Sequence, residues 1–288
     1  MAKDNEGNDI SADEILLLHP GDMGSALGAV WRSLGHRVYW LPEGRNAASH
    51  QRAEAADLTA CTLAQARGRC SLIVSVCPPH AARELAQRTI GDGYRGTYLD
   101  ANAVSPTASA AIGEMVTRAG ATYVDGGIIG PPPRDGAAAR LYLSGAAAAS
   151  LAPRLQGGRL TVHALEGGPT RASALKMAFA AWNKGLLALL ADVHALADAH
   201  DVLAPLRDEW AALDPDVRSR EGRMLAATLK AWRWEGEMHE IADTFKESGL
   251  PDAFHRGAAE VYRRLGAFKD AAAAPALEEV NRALRGDP

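Results

Sequence analysis

The stretch that most constrains this chain is Glu14-Ile-Leu-Leu-Leu-His-Pro-Gly-Asp-Met-Gly24, where a short apolar run meets a glycine turn and a helical pattern opens at once. Met23, Ala26, Leu27, Val30, Trp31 and Leu34 recur at steps of three and four, and Gly35 is placed to stop the helix. A strand, a tight turn and a helix in that order leave backbone N–H groups at the positive end of a helix, where a phosphate approaches closely because glycine has no Cβ. The run therefore predicts a site for a nucleotide diphosphate. The dinucleotide fingerprint is G-x-G-x-x-G, and here His19 stands where the first glycine belongs, leaving His19-x-Gly21-x-x-Gly24. The motif by itself is equally compatible with an ordinary strand-to-helix connection.

The rest of the first half repeats the strand-helix alternation. Arg37-Val-Tyr-Trp-Leu41 reads as a strand, and Pro42-Glu-Gly-Arg-Asn46 as the loop at its carboxyl end. In a dinucleotide enzyme that loop chooses the cofactor. An acidic residue would hold the adenosine 2′-hydroxyl, whereas an arginine accommodates a 2′-phosphate. Arg45 with Asn46 favours NADP, and Glu43 leaves NAD open. A helix is expected over 47–56. Ser71-Leu-Ile-Val-Ser-Val-Cys77 is a nearly continuous apolar run, as a strand buried on both faces requires, and Cys77-Pro78-Pro79 ends it on the same sheet edge as the glycine turn. Helix 81–90, strand 96–100, helix 105–119, strand 121–125, a loop over 126–135, strand 140–144, an alanine-rich helix and strand 160–164 follow. This alternation predicts an α/β domain with a mostly parallel, doubly wound sheet. Beyond Gly167 the strand signal disappears. Residues 171 to about 200 read as one helix roughly 45 Å long. Charged helices follow, broken near Pro205, Asp214-Pro215 and Gly249-Leu-Pro251. The expected division is a polar, disordered lead-in over 1–13, a nucleotide-binding domain over 14–167 and an all-α domain over 168–288.

With 288 residues the chain buries a sizeable core. Its 31 basic and 35 acidic residues create no positive field that would draw it to nucleic acid or anionic lipid. No apolar run nears the roughly 20 residues of a bilayer span, and the N-terminus lacks the pattern of a signal peptide. Cys61, Cys70 and Cys77 have neither disulfide nor metal-ligand spacing and read as small buried hydrophobes. A cytoplasmic protein, binding neither nucleic acid nor membrane, is the expectation.

The order of these parts resembles the superfamily of 6-phosphogluconate and 3-hydroxyisobutyrate dehydrogenases, the β-hydroxyacid dehydrogenases, over nearly the whole chain. Pro20, Gly21, Asp22, Met23 and Gly24 resemble its nucleotide loop, and Gly44-Arg45-Asn46 its cofactor-choice loop. Cys77 and Pro78 end a strand beside that loop, and Leu99-Asp-Ala-Asn-Ala-Val-Ser-Pro106, with Asn102, resembles the segment near the nicotinamide ribose. Val124-Asp-Gly-Gly-Ile-Ile-Gly130, with Gly126, Gly127, Ile128 and Ile129, resembles the substrate loop. Gly168-Pro-Thr-Arg-Ala-Ser-Ala-Leu-Lys176 resembles the start of the helix carrying the catalytic lysine. Trp234-Glu-Gly-Glu-Met-His-Glu-Ile-Ala242 and Gly249-Leu-Pro-Asp-Ala-Phe-His255 resemble a bacterial branch whose second domain is of unknown function. The resemblance implies a Rossmann-type N-terminal domain, an all-α C-terminal domain entered by a long interdomain helix, an NADP or NAD cofactor and a homodimer packed through that helix.

Oxidising a secondary alcohol removes a proton from oxygen while a hydride leaves carbon, so a base must lie within hydrogen-bond reach of that oxygen. The resemblance assigns this role to Lys176. A lysine beside an oxidised nicotinamide in apolar surroundings gives up its proton more readily than one in water, because like charge and desolvation both disfavour the ammonium. The departures bear on the substrate. Where the family has an asparagine four residues after the lysine, this chain has Ala180; Asn183 follows one turn later, about 10 Å along the axis from Lys176. Ile129-Gly130-Pro131-Pro132-Pro133 replaces a serine and glycines that hold a substrate carboxylate, and Gly236-Glu237 stands where the family has a Lys-Asp pair. With Phe179, Trp182 and Trp234 in the motifs, a small, partly apolar substrate contacting Asn183 and Glu237 is expected. His194, His239 and His255 fit no metal spacing and read as satisfied or surface residues.

Three functions follow from this reading. The first is an NAD(P)-dependent dehydrogenase or reductase of a hydroxyl or carbonyl. The second is an NADPH-dependent imine reductase, although relatives of that kind usually lack the lysine. The third is a non-catalytic NADP-binding scaffold or sensor.

Overall fold

A computed structural model describes residues 12–91, 93–134, 136–214 and 216–287. The expected lead-in lies outside these except at its end. There Asp13 is buried, donates its N–H to His36 Nδ1 at 3.0 Å and pairs with Arg154, so it belongs to the folded chain.

The chain forms two compact units, divided after Lys176. The first is built on β1 (Glu14–Leu17), α1 (Asp22–Ser33), β2 (Arg37–Trp40), α2 (Ala47–Ala55), β3 (Thr59–Ala60), α3 (Leu63–Arg69), β4 (Leu72–Ser75) and α4 (Ala82–Ile90). It continues with β5 (Thr97–Asp100), α5 (Pro106–Arg118), β6 (Thr122–Ile129), β7 (Ala139–Ser144), α6 (Ala148–Leu155) and β8 (Leu160–Ala164). The eight strands lie in the order β3-β2-β1-β4-β5-β6-β7-β8. Neighbours from β3 to β6 are parallel, β7 runs antiparallel to β6, and β8 is parallel to β7. This is the expected mostly parallel, doubly wound sheet. Both faces are buried, which is why the strands read as unbroken apolar runs. Ile15 and Leu17 pack on one side with Leu27 and Trp31, while Leu16 and Leu18 pack on the other with Leu85 and Ile112.

The strand order reverses between β1 and β4, creating the crevice at the carboxyl edge where open α/β sheets bind their ligands. Two local expectations differ. The residues between 57 and 70 hold β3 and α3, too short for periodicity to reveal, although Thr62 and Gln65 form a capping box. Gly126, Gly127, Ile128 and Ile129 are not a loop. They extend β6, paired antiparallel to β7 from Asp125↔Ser144 to Ile129↔Arg140, and the prolines beyond had obscured that extension.

α7 (Arg171–Ala199) spans the break between the units, so the division falls within the helix rather than near Gly168. Its 29 residues correct the expectation about apolar runs. An 18-residue window has mean hydropathy 1.2, so by length and composition the helix is long and apolar enough to cross a membrane. Within the second unit Ala188, Leu190, Ala191 and Ala195 bury one side of it. That unit continues with α8 (Leu203–Leu213), α9 (Val217–Ala227), α10 (Ala231–Glu247), α11 (Ala253–Leu265) and α12 (Leu277–Arg285). α10 and α11 pack through Met238, Ile241, Ala258 and Tyr262, all buried.

Candidate cofactor and catalytic site

α1 begins at Asp22 with Gly21 as its cap and no side-chain cap bond, so the amides of its first turn have no acceptor in their own helix. The two glycines of this turn have different reasons to be there. A Cβ on Gly24 would lie 2.1 Å from the His19 carbonyl oxygen, so only glycine lets α1 sit against the end of β1. A Cβ on Gly21 would meet nothing within 4 Å, which leaves open space beside the amides for an anion. His19 is half-buried, its Nδ1 has no hydrogen-bond partner, and burial, helped by Arg45 and Arg88, lowers its pKa to about 4. It is a neutral residue at neutral pH.

Two guanidinium groups grip this loop. Arg45 donates to the Leu18 carbonyl at 3.2 Å, and Arg52 to the Pro20 carbonyl at 3.0 Å. Arg52, from α2, escaped the sequence reading because it lies in a polar helix without a motif. Asn46 caps α2, its Oδ1 accepting from the Ser49 amide at 2.9 Å, so it shapes the loop that carries Arg45. Glu43 is exposed.

The end of β4 lies beside the end of β1 through the pairing of Leu17 with Val74. Here the Cys77 amide donates to Asn102 Oδ1, while Asn102 Nδ2 donates to Ser75 Oγ at 2.9 Å and the Asn102 amide to Asp100 Oδ1 at 3.1 Å. Asn102 is buried and braces the strand end that leads into Pro78. Burial pushes the Cys77 thiol up to about 12, which leaves it an uncharged wall. Burial raises Asp100 to about 7, the Asn102 amide opposing it and Asp125 adding to it.

Lys176 is set by a second polar cluster. Asp125, buried on β6, accepts from Ser109 Oγ at 2.8 Å, Ser144 Oγ at 2.9 Å and the Ser173 amide at 2.8 Å, and also from Ser173 Oγ. Ser144 Oγ accepts in turn from the Ala172 amide at 3.0 Å. A carboxylate at a helix N-terminus is favoured by the helix dipole, and here it pins α7 to the sheet. Gly127 completes the contact, because a Cβ there would lie 2.6 Å from the Ala172 oxygen and 3.1 Å from Lys176 Cβ. The pairing of Asp100 with Asp125 brings Gly127 level with Asn102, so half-buried Lys176 stands on the same sheet edge as the glycine turn. Ile128 and Ile129 are buried.

The remaining candidates lie in the second unit. Asn183 is exposed and donates back to the Phe179 oxygen at 2.9 Å, while Ala180 is buried. Glu237, on α10, forms a buried ion pair with Lys184, whose Nζ lies 4.9 Å over the Trp234 ring. Tyr262 donates to the Lys184 carbonyl at 2.6 Å and meets Trp234 edge-on. The cation missing beside Glu237 on its own helix is therefore supplied from α7, a partnership of distant residues that no local motif announces. His239 is exposed and His255 lies between Phe245 and Phe254. His194 is buried 3.3 Å from Glu221 with no hydrogen bond at either ring nitrogen, so it is not the satisfied residue expected. A cavity of 580 Å³ lies along α5, by Gly113, Tyr123 and Thr170, and not at the nucleotide loop.

Residues 197–265 match the family described as a domain of unknown function, DUF1932. No curated protein matches the chain by sequence. Among solved structures the chain is similar to a 3-hydroxyisobutyrate dehydrogenase of Mycobacterium tuberculosis with L-serine, at 15 % identity and TM-score 0.69, covering 96 % of this chain and 100 % of that one. It is similar to a 3-hydroxyisobutyrate dehydrogenase of Salmonella typhimurium at 16 % identity and TM-score 0.67, covering 94 % and 99 %. A reductive aminase of Aspergillus terreus in complex with NADPH and ethyl levulinate aligns at 19 % identity and TM-score 0.56, covering 94 % and 98 %. The chain thus has the fold of the 3-hydroxyisobutyrate dehydrogenases, with residues 197–265 matching DUF1932.

Proposed function

We propose that the protein is an NADP-preferring oxidoreductase acting on a hydroxyl or carbonyl carbon of a small, partly apolar, β-hydroxyacid-like substrate, with Lys176 as general acid and base. The observation that carries this reading is the division of labour in the glycine turn, with Gly24 closed against His19 and Gly21 open beside unpaired helix amides. Those amides would hold the diphosphate of a nicotinamide dinucleotide, and Arg45 with Arg52 would take an adenosine 2′-phosphate. The bound nicotinamide supplies the hydride acceptor or donor. Lys176 takes the hydroxyl proton at Nζ during oxidation and returns it during reduction. Asp125, through Ser173 and Ser144, fixes the start of the helix from which that side chain extends. The likeness to a reductive aminase favours imine reduction as a second reading, and Lys176 weighs for the first. Reduced cysteines suit a cytoplasmic location, and an exposed apolar stripe on α7 suits a homodimer.

The test is a fluorescence titration with NADPH and NADH, followed by turnover of hydroxyacids, aldehydes and cyclic imines. Gly21→Ala should fold normally and lose cofactor affinity, because its methyl occupies the anion's space without touching the chain. Lys176→Ala should keep that affinity and lose about a hundredfold or more in kcat. Equal turnover by Lys176→Ala would leave a cofactor-binding scaffold. Affinity of the natural protein for neither cofactor would end the reading.

A further inference from the structure

The connection between β6 and β7 carries Pro131-Pro132-Pro133-Arg134. Consecutive prolines fix φ at each position and stiffen the bend they form, so the residue after them is delivered to one place. Arg134 is delivered to the head of α1. Its Nη2 lies 2.9 Å from Asp22 Oδ1, 2.9 Å from the Asp22 carbonyl oxygen and 3.3 Å from Ser25 Oγ. Both charged side chains remain about half exposed, 51 % for Arg134 and 42 % for Asp22. Among the described residues Nη2 alone of the guanidinium is engaged.

Asp22 poses a problem at this position. A carboxylate on the first residue of α1 suits the bare helix end, yet it stands beside the amides and open space assigned to a diphosphate, which carries the same sign. An arginine fixed against that carboxylate cancels its charge, and its Nε and Nη1 N–H groups remain as separate charged donors for phosphate oxygens. The proline turn thus brings a cation to the glycine turn at the head of α1.

We propose that Arg134 is a cofactor-binding residue, which neutralises Asp22 and donates directly to the diphosphate. This rests on the cofactor site proposed above.

The test is a set of NADPH titrations of the full chain, natural and as Arg134→Ala, Arg134→Lys, Asp22→Asn and the double variant Asp22→Asn/Arg134→Ala. Each variant is checked by thermal melting. Arg134→Ala should raise the Kd about tenfold or more, Arg134→Lys should recover part of the loss, and Asp22→Asn alone should bind more tightly than the natural protein. Removing Arg134 in the Asp22→Asn background should still cost severalfold in affinity, because the phosphate contact persists without the carboxylate. A change within twofold for Arg134→Ala, or a loss that vanishes once Asp22 is neutral, would overturn the inference while leaving the cofactor site intact. No NADPH or NADH binding by the natural protein would remove the site and this residue's role together.

Discussion

Asp100 shows how much a single buried group controls here. It is enclosed by Tyr98 on its own strand, Asp125 and Tyr123 on β6 and Cys77 beyond β4, and burial raises its pKa from 3.8 to about 7. Because the folded pKa lies above the unfolded one, its stabilising contribution is complete below about pH 4 and is lost as pH rises through about 7. Between pH 5 and 8 that loss amounts to about 3 kcal/mol. Asp100→Asn keeps an oxygen for the Asn102 amide and removes the proton equilibrium. Urea unfolding at pH 5 and pH 8 should therefore show the variant gaining on the natural protein by about that amount as pH rises, and parallel curves would refute it. At this scale the sequence was legible where chemistry is local. Gly21, Gly24 and Lys176 stand in motifs; in the structure Gly24 is closed against the His19 oxygen, Gly21 faces open space and Lys176 lies near the start of α7. The burial of Asp100 was not legible, because it depends on residues from three strands.

Elements were legible when their periodicity ran long enough. β1, β4, α5 and α7 announce themselves, whereas β3 and α3 are too brief to do so, and the extension of β6 through Ile129 depends on pairing with β7. Contacts between elements were least legible. The Lys184–Glu237 pair joins α7 to α10 and is nearly buried on both sides, with side-chain exposures of 12 % and 11 %. Breaking such a pair leaves a charge in a poor solvent, at a cost of about 3 kcal/mol, while replacing both partners with neutral residues costs much less. Lys184→Met should therefore destabilise the protein by about that amount, and Lys184→Met/Glu237→Gln should recover most of it. Chemical denaturation decides between them. If the double variant is no more stable than the single one, the pair is not what holds α7 to α10.

At the scale of the whole molecule, the alternation of strands and helices was enough to predict one doubly wound sheet and one helical unit. What it could not supply was any contact across a long loop, such as Arg134 with Asp22. It read α7 as one long helix, and the structure shows which of its apolar residues stay exposed. Trp182, Leu189 and Leu196 recur every seven residues on α7 and remain 71 %, 47 % and 60 % exposed. A seven-residue apolar repeat on one helix face is complementary to a second copy of itself, because the same stripe serves both partners of a two-fold interface. The protein is therefore expected to elute at twice its 30.4 kDa chain mass. Leu189→Glu/Leu196→Glu should elute as a monomer with its thermal melt otherwise preserved, since both leucines face outward within their own unit. Light scattering at micromolar concentration reads the result. A natural protein of 30.4 kDa, or a double variant of unchanged mass, would mean that this stripe covers something other than its own copy.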